Sequence, residues 1–285
     1  MILVIGSTGT VGSEVVRQAR EAGAEVRVLV RSREKGGDVE ALGGELVIGD
    51  CSDPSSLDPA FDGVDHLFIV MASGPEQVQL ERNAIEAAQR RGDVHVVKLS
   101  VLGADPESPV RFGASHGEIE KILADSGLPN TLLRPNDFMQ NAFGWASTLH
   151  SGQVYSPIPH AQIASVDVRD IAAVGVAALT ETGHEGKVYE LTGPEALTRR
   201  EQTMKLEAAA GVDVELVEVS SDEAREAMLG AGYPEYAVDG LIELDVHVYE
   251  PGHASGLADG VREATRRDPR SFEEFARDHA EAFKA

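Results

Sequence analysis

Three glycines at three-residue steps, Gly6, Gly9 and Gly12, follow the apolar run Ile2-Leu3-Val4-Ile5 and precede a helical pattern carried by Val15, Val16 and Ala19. A strand that ends in a glycine turn and feeds a helix brings backbone within reach of a diphosphate. A side chain at Gly6 would obstruct the turn, one at Gly9 would hold backbone N–H groups off the phosphates, and one at Gly12 would push helix from strand. The first N–H groups of the helix, at the positive end of its dipole, then hold the anion. The spacing predicts a bound dinucleotide touched by Gly6, Ser7, Thr8, Gly9, Thr10, Val11 and Gly12. A glycine triad alone also marks ordinary tight turns, and its place between a buried-type strand and a helix selects the functional reading.

The end of the second strand chooses the ribose. A cofactor without a 2′-phosphate is usually held there by an acidic side chain, about twenty residues past the glycines. This chain instead reads Val28-Leu29-Val30-Arg31-Ser32-Arg33-Glu34-Lys35. The planar fork of Arg31 suits a phosphate, with Ser32 and Arg33 adding donors, so NADPH is expected over NADH. Asp50, after the third strand, is placed to accept from the adenine amine, with Cys51 beside it. Met71, Ala72 and Ser73, after the fourth, should pass along the ribose and nicotinamide end, and Pro135 closes the sixth.

The elements that must position these residues alternate. Strands are expected at 2–5, 25–30, 45–48, 66–70, 95–99 and 130–133, with helices near 13–21, 55–60, 75–91 and 112–126. Strands apolar along nearly their whole length belong in a parallel sheet covered on both faces, here a doubly wound α/β sheet of the Rossmann type. After about Arg134 the rhythm breaks at Pro135, Pro157 and Pro159. Strands are then expected at 163–167, 187–191 and 215–219 and helices at 168–179, 199–210, 221–229, 236–248 and 271–283. The division expected is 1–135 for the dinucleotide domain and 136–285 for a smaller, mostly helical substrate lobe, with about 163–192 returning to the main sheet.

Composition narrows the partners. The formal net charge of −23 repels nucleic acid and anionic membrane surfaces. No run is long enough to span a bilayer and no secretory signal is read before the first strand. One cysteine allows no intramolecular disulfide and fits a reducing compartment, so the cytoplasm is expected. No metal site is expected, and a homodimer stays open.

The assembled motifs resemble the short-chain dehydrogenase/reductase superfamily, in its atypical NmrA-like branch. They are the glycine triad, Arg31, Gly49-Asp50, Ser115-His116-x-x-x-Glu120-x-x-Leu123, the stretch from Ser126 through Arg134-Pro135-x-x-Phe138-Met139-x-Asn141, Val166-Asp167-Val168-Arg169-Asp170-Ile171-Ala172 and Pro269-Arg270-Ser271-Phe272. The resemblance implies NAD(P)H-dependent reduction of quinones, azo dyes or triphenylmethane dyes, or NADP sensing without catalysis. It also implies a tyrosine acid with a lysine four residues on. Here Phe112 holds the tyrosine position and His116 the lysine position, Glu120 falls four further, and Ser100 keeps the serine after the fifth strand.

Phenylalanine has no proton to give, so carbonyl–alcohol interconversion through a tyrosinate is not expected. Hydride transfer to a quinone, enone, iminium or cationic dye needs less acid help and mainly needs proximity. His116 is then the candidate proton donor, with Glu120 on the same helical face to hold its imidazole and Ser100 as a polar ligand; a cofactor-ribose contact is the competing role for His116. Phe112, Asn136, Phe138, Met139, Asn141 and Tyr155 are expected to line a flat apolar pocket. Beside this reductase stand two alternatives: a regulatory protein that senses NADP(H), and a non-redox lyase, cyclase or isomerase on the same scaffold.

Overall fold

The structure, a computed structural model, describes residues 1–149 and 151–284. The first half is a regular alternation: β1 (Ile2–Ile5), α1 (Thr10–Glu21), β2 (Val26–Val30), α2 (Arg33–Ala41), β3 (Glu45–Ile48), β4 (His66–Ile69), α3 (Gln77–Arg91), β5 (His95–Leu99), α4 (Arg111–Asp125) and β6 (Asn130–Pro135). The second half runs α5 (Ala146–Leu149), β7 (Gln153–Ser156), β8 (Gln162–Ile163), α6 (Val168–Thr180), β9 (Val188–Leu191), β10 (Leu197–Thr198), α7 (Arg199–Ala210), β11 (Glu215–Glu218), α8 (Ser221–Gly230), α9 (Glu235–Leu244), α10 (Gly260–Thr265) and α11 (Phe272–Asp278).

Seven strands form one parallel sheet in the order β3-β2-β1-β4-β5-β6-β9, the doubly wound Rossmann-type arrangement expected. All four residues of β1 are buried because apolar layers cover both faces. One layer joins Val11, Val15 and Val16 of α1 to Ile171 and Val174 of α6 and Val261 of α10. The other sets Ala84, Ile85 and Ala88 of α3 and Ile119 and Leu123 of α4 against Leu3, Leu67 and Val96. The chain leaves β1 toward β2 on one side and β4 lies on the other, so the crevice at their carboxyl ends is the topological switch point.

Two sequence expectations change here. Residues 33–41 form a helix despite Gly36-Gly37, because a Cβ at Gly36 would lie 2.2 Å from Leu46 Cδ1 and its absence lets α2 settle on β3. The strand expected at 163–167 shrinks to Gln162–Ile163 and pairs antiparallel with β10 outside the main sheet.

The lobe has its own core, in which Phe272, Phe275 and Phe283 meet Val154, Leu206 and Met139. β7 and β11 pair in parallel, and α9 unwinds into a π turn over Asp245–Tyr249. Bonds between the later helices and the earlier chain include Asn136 Nδ2 donating to Ala254 O at 2.8 Å, Arg169 meeting Asp278 at 2.7 Å, and Arg270 pairing with Asp170.

Candidate active site

The glycine turn is built by sterics that leave no choice. Gly6 has φ +84°, and a Cβ there would meet Val70 O at 1.9 Å; at Gly12 it would meet Gly6 O at 2.1 Å. Gly9 differs: its added Cβ would find only Gly6 O, at 3.5 Å, and would otherwise project into open space. The first N–H groups of α1 have no intrahelical partner. No side chain caps them at Gly9, and the first turn carries no acid to compete for them. Thr8, Gly9 and Thr10 are exposed around the turn, while the buried Ser7 Oγ has no hydrogen-bond partner among the described residues. An open cradle of backbone donors that a side chain would fill fits a diphosphate.

At the end of β2, Arg31 is exposed and has no ion-pair partner among the described residues. Asp50 stands near enough for its charge to be felt; the Ser52 backbone N–H bond, with Arg31 as a lesser cause, holds this carboxyl below the usual range. One Asp50 oxygen accepts from Ser52 N at 2.8 Å, which leaves Oδ2 for a further donor. Arg33 is turned to Glu40 at 3.2 Å, and Ser32 begins α2 without a side-chain cap bond. Cys51 points into the core, and burial pushes its thiol up to about 12. Met71 is half-buried, Ala72 and Ser73 are exposed after β4, and Pro135 is buried at the end of β6.

The α4 face is rearranged relative to expectation. His116 is 6% exposed, with Nδ1 3.1 Å from Lys98 Nζ and Nε2 3.3 Å from the Gln77 amide. Burial first, and the Lys98 ammonium second, hold this imidazole well below its ordinary pKa, so it stays neutral. Lys98 is itself fully buried and pairs with the equally buried Glu81 at 2.8 Å. Glu120 does not hold the imidazole: it accepts from Ser100 Oγ at 2.5 Å and pairs with Arg134, whose Nη2 lies at 2.5 Å. The four-residue spacing put His116 and Glu120 on one helical face, but separate basic partners draw them apart. Phe112 packs under α9, where a Cβ on Gly240 would lie 2.3 Å from its Cζ.

The expected pocket residues also divide. Met139 is 2% exposed in the lobe core, and Asn136 is spent on Ala254 O. Phe138 is half-buried against the sheet core. Asn141 is exposed and donates to Asp137 Oδ1 at 2.8 Å, and Tyr155 is 45% exposed on β7. Asp137 in turn accepts from Ser165 Oγ at 2.7 Å and from Arg199 Nη1 at 3.1 Å. Nearby on the π turn, burial, opposed by the Arg199 charge, raises Asp245 to about 7. Two surface hollows, of about 290 and 390 Å³, open elsewhere, beside Gln18 and Arg267 and beside Arg82 and Lys121, and include none of these side chains. Among the described residues no cluster of His, Cys, Asp and Glu could hold a metal ion, and no helix is long and apolar enough to cross a membrane.

Residues 6–182 match the family described as NAD(P)H-binding, and the whole chain is 41% identical to an NAD(P)H azoreductase of Xenophilus azovorans across 100% of both. The chain belongs to the NAD(P)H-binding family. It is an oxidoreductase of the NmrA-like, atypical short-chain dehydrogenase/reductase branch. It is also 40% identical to a (4-alkanoyl-5-oxo-2,5-dihydrofuran-3-yl)methyl phosphate reductase of Streptomyces griseus, over 99% of each chain. Among solved structures, the NADPH complex of the Escherichia coli quinone oxidoreductase QOR2 superposes with a TM-score of 0.87 at 28% identity, covering 97% of this chain and 98% of that one.

In this NAD(P)H-binding chain, the motifs assign no role to Gln77, Glu81, Lys98, Arg134 and Tyr236. Three of them left a signal. Lys98 is a lone charge in the buried-type strand His95-Val96-Val97-Lys98-Leu99, and Gln77 and Glu81 fall on the same helical face as Ala84 and Ala88. A charge placed where burial is expected demands a partner.

Proposed function

We propose that the chain is an NADPH-dependent reductase of flat conjugated acceptors, such as quinones, enones, iminium ions and dyes, and that it works without a tyrosine–lysine acid pair. The carrying observation is Phe112: the position of the usual acid holds a hydrocarbon ring lodged beneath Gly240. The relatives' names point the same way, toward azo, quinone and alkanoyl-dihydrofuran acceptors. In this reading the backbone of Gly6 through Gly12 takes the diphosphate, with Ser7, Thr8, Thr10 and Val11 around it. Arg31, without an ion-pair partner among the described residues, meets a 2′-phosphate, Ser32 adds a donor, and Asp50 Oδ2 accepts from the adenine amine. Met71, Ala72, Ser73 and Pro135 line the path toward the ring. Bound NADPH supplies the hydride. Phe112, Phe138 and Tyr155 offer apolar faces to the acceptor, and a neutral His116 braces α4 from beneath. A reducing cytoplasm keeps Cys51 a thiol.

The test is NADPH oxidation across quinones, enones, iminium ions and dyes, beside nucleotide binding by calorimetry. Turnover of at least one class supports the reading. Binding without any turnover overturns it in favour of a sensor or a non-redox enzyme. Arg31→Ser should weaken NADPH binding about ten- to a hundredfold while leaving NADH within about twofold, as expected for loss of a charge-assisted phosphate contact. An unchanged preference removes Arg31 from the ribose site.

A further inference from the structure

Reduction of a neutral quinone needs a proton as well as a hydride, and His116 is not placed to give one. Its Nδ1 faces the Lys98 ammonium, its Nε2 faces Gln77, and both partners are buried. Ser100 spends its proton on Glu120, which Arg134 also holds. A phenol nevertheless lies on the α4 face, delivered by a different element. Tyr236 of α9 sits against the first turns of α4: its hydroxyl lies 3.2 Å from Ser115 Oγ, and its ring centroid lies 6.2 Å from that of Phe112. We propose that Tyr236 is the proton donor to the reduced acceptor, a phenol supplied from the lobe where α4 itself carries Phe112.

Further contacts hold the phenol and its helix against α4. The Arg111 guanidinium stacks over the Tyr236 ring at 5.0 Å. Arg111 is held in turn by α9, through Glu243 at 2.6 Å and Asp239 at 3.4 Å, and its backbone N–H donates to Glu243 at 2.8 Å. Gly240 presents no side chain, so the backbone of α9 rests directly on the Phe112 ring. Tyr236 remains half-buried rather than sealed. Among the described residues Ser115 is the one side chain hydrogen-bonded to this hydroxyl, so no carboxylate competes for its proton. α4 begins at the carboxyl edge of the sheet, the side on which doubly wound folds seat their ligands.

The hydride of the reduced nicotinamide and its electron pair enter the quinone, leaving an anionic oxygen. The Tyr236 O–H bond breaks as an O–H bond forms on that oxygen. The phenolate then regains a proton from solvent through the Ser115 hydroxyl. A cationic dye accepts hydride to give a neutral product and calls for no proton.

This inference rests on the reductase reading, and the experiment separates the two. Tyr236→Phe is compared with the parent enzyme on one neutral quinone and one cationic triphenylmethane dye, both with NADPH. A selective fall in quinone kcat of about a hundredfold, with the dye kept within about twofold, is the expected result for loss of a general acid. Ring-labelled tyrosine supplies a readout without turnover. Of the five tyrosine Cζ resonances, the one missing in Tyr236→Phe should move when hydroquinone binds to the protein loaded with oxidised nucleotide. Equal losses on both acceptors, or a resonance that hydroquinone leaves in place, reduce Tyr236 to a clamp between α9 and α4 and overturn the proposal. Failure of the parent enzyme on every acceptor would instead strike the reductase reading. Should Tyr236→Phe loosen the lobe, Ser115→Ala, which keeps the phenol and removes the relay, should slow the quinone alone by a smaller factor. A Ser115→Ala variant as fast as its parent on the quinone counts against the relay.

Discussion

Two helices begin at the same edge of the sheet, and they are specified in opposite ways. α1 starts on backbone alone: three glycines, no capping side chain and no acid in its first turn. α4 starts on side chains, each committed to a distant partner: Arg111 to Glu243, Phe112 to Gly240, His116 to Lys98, Glu120 to Arg134. A site made of main chain is dictated within a dozen residues, so its chemistry travels with its motif. A site made of side chains is decided by whatever folds against it, here partners up to 132 residues away.

The largest test of the contrast is Gly9→Val. Its side chain would point into open space, so the fold should persist with little change in melting temperature, while nucleotide affinity drops more than a hundredfold in calorimetry. Affinity close to that of the parent would break the claim that α1 binds through its backbone. Second comes Glu81→Ala, which strands the buried Lys98 ammonium and should cost about 3–5 kcal/mol in urea unfolding. A cost below about 1 kcal/mol would mean that the network beneath α4 is loosely held. The smallest concerns His116. Its folded pKa lies below the unfolded value of 6.5, so the unfolded chain binds the extra proton and stability falls as pH drops below 6.5. His116→Gln should remove about 1 kcal/mol of that acid loss between pH 7 and 5.5, measured by unfolding at both pH values. An unaltered slope would place the acid-labile group elsewhere.

The same contrast explains what could be read from residues alone. The sheet, its order and the glycine turn follow from apolar runs and from a steric rule about Cβ atoms, both local. The exposed place of Arg31 at a strand end is equally legible, and no ion-pair partner among the described residues diverts it. His116 and Glu120 were assigned to one another from helical spacing. Spacing knows nothing of Lys98 entering from β5 or Arg134 from β6, and a buried hydrogen bond to the one and an ion pair with the other outweigh adjacency. Met139 and Asn136 followed a strand end, which suggested a pocket, yet the lobe core claimed one and Ala254 O the other. Tyr236 carried no signal at all, since nothing in its neighbourhood of the chain says that α9 folds back onto α4.

The seventh strand carries one more implication. β9 completes the sheet beside β6, and α10 rests on it so closely that a Cβ at Gly260 would strike Glu190 O at 2.2 Å. The edge of the amino-terminal half is therefore finished by chain made late in synthesis. On the ribosome the glycine turn emerges well before residues near 260, and it waits on them before its sheet is sealed. Nascent chains halted short of that point should hold an unprotected margin and lean on chaperones.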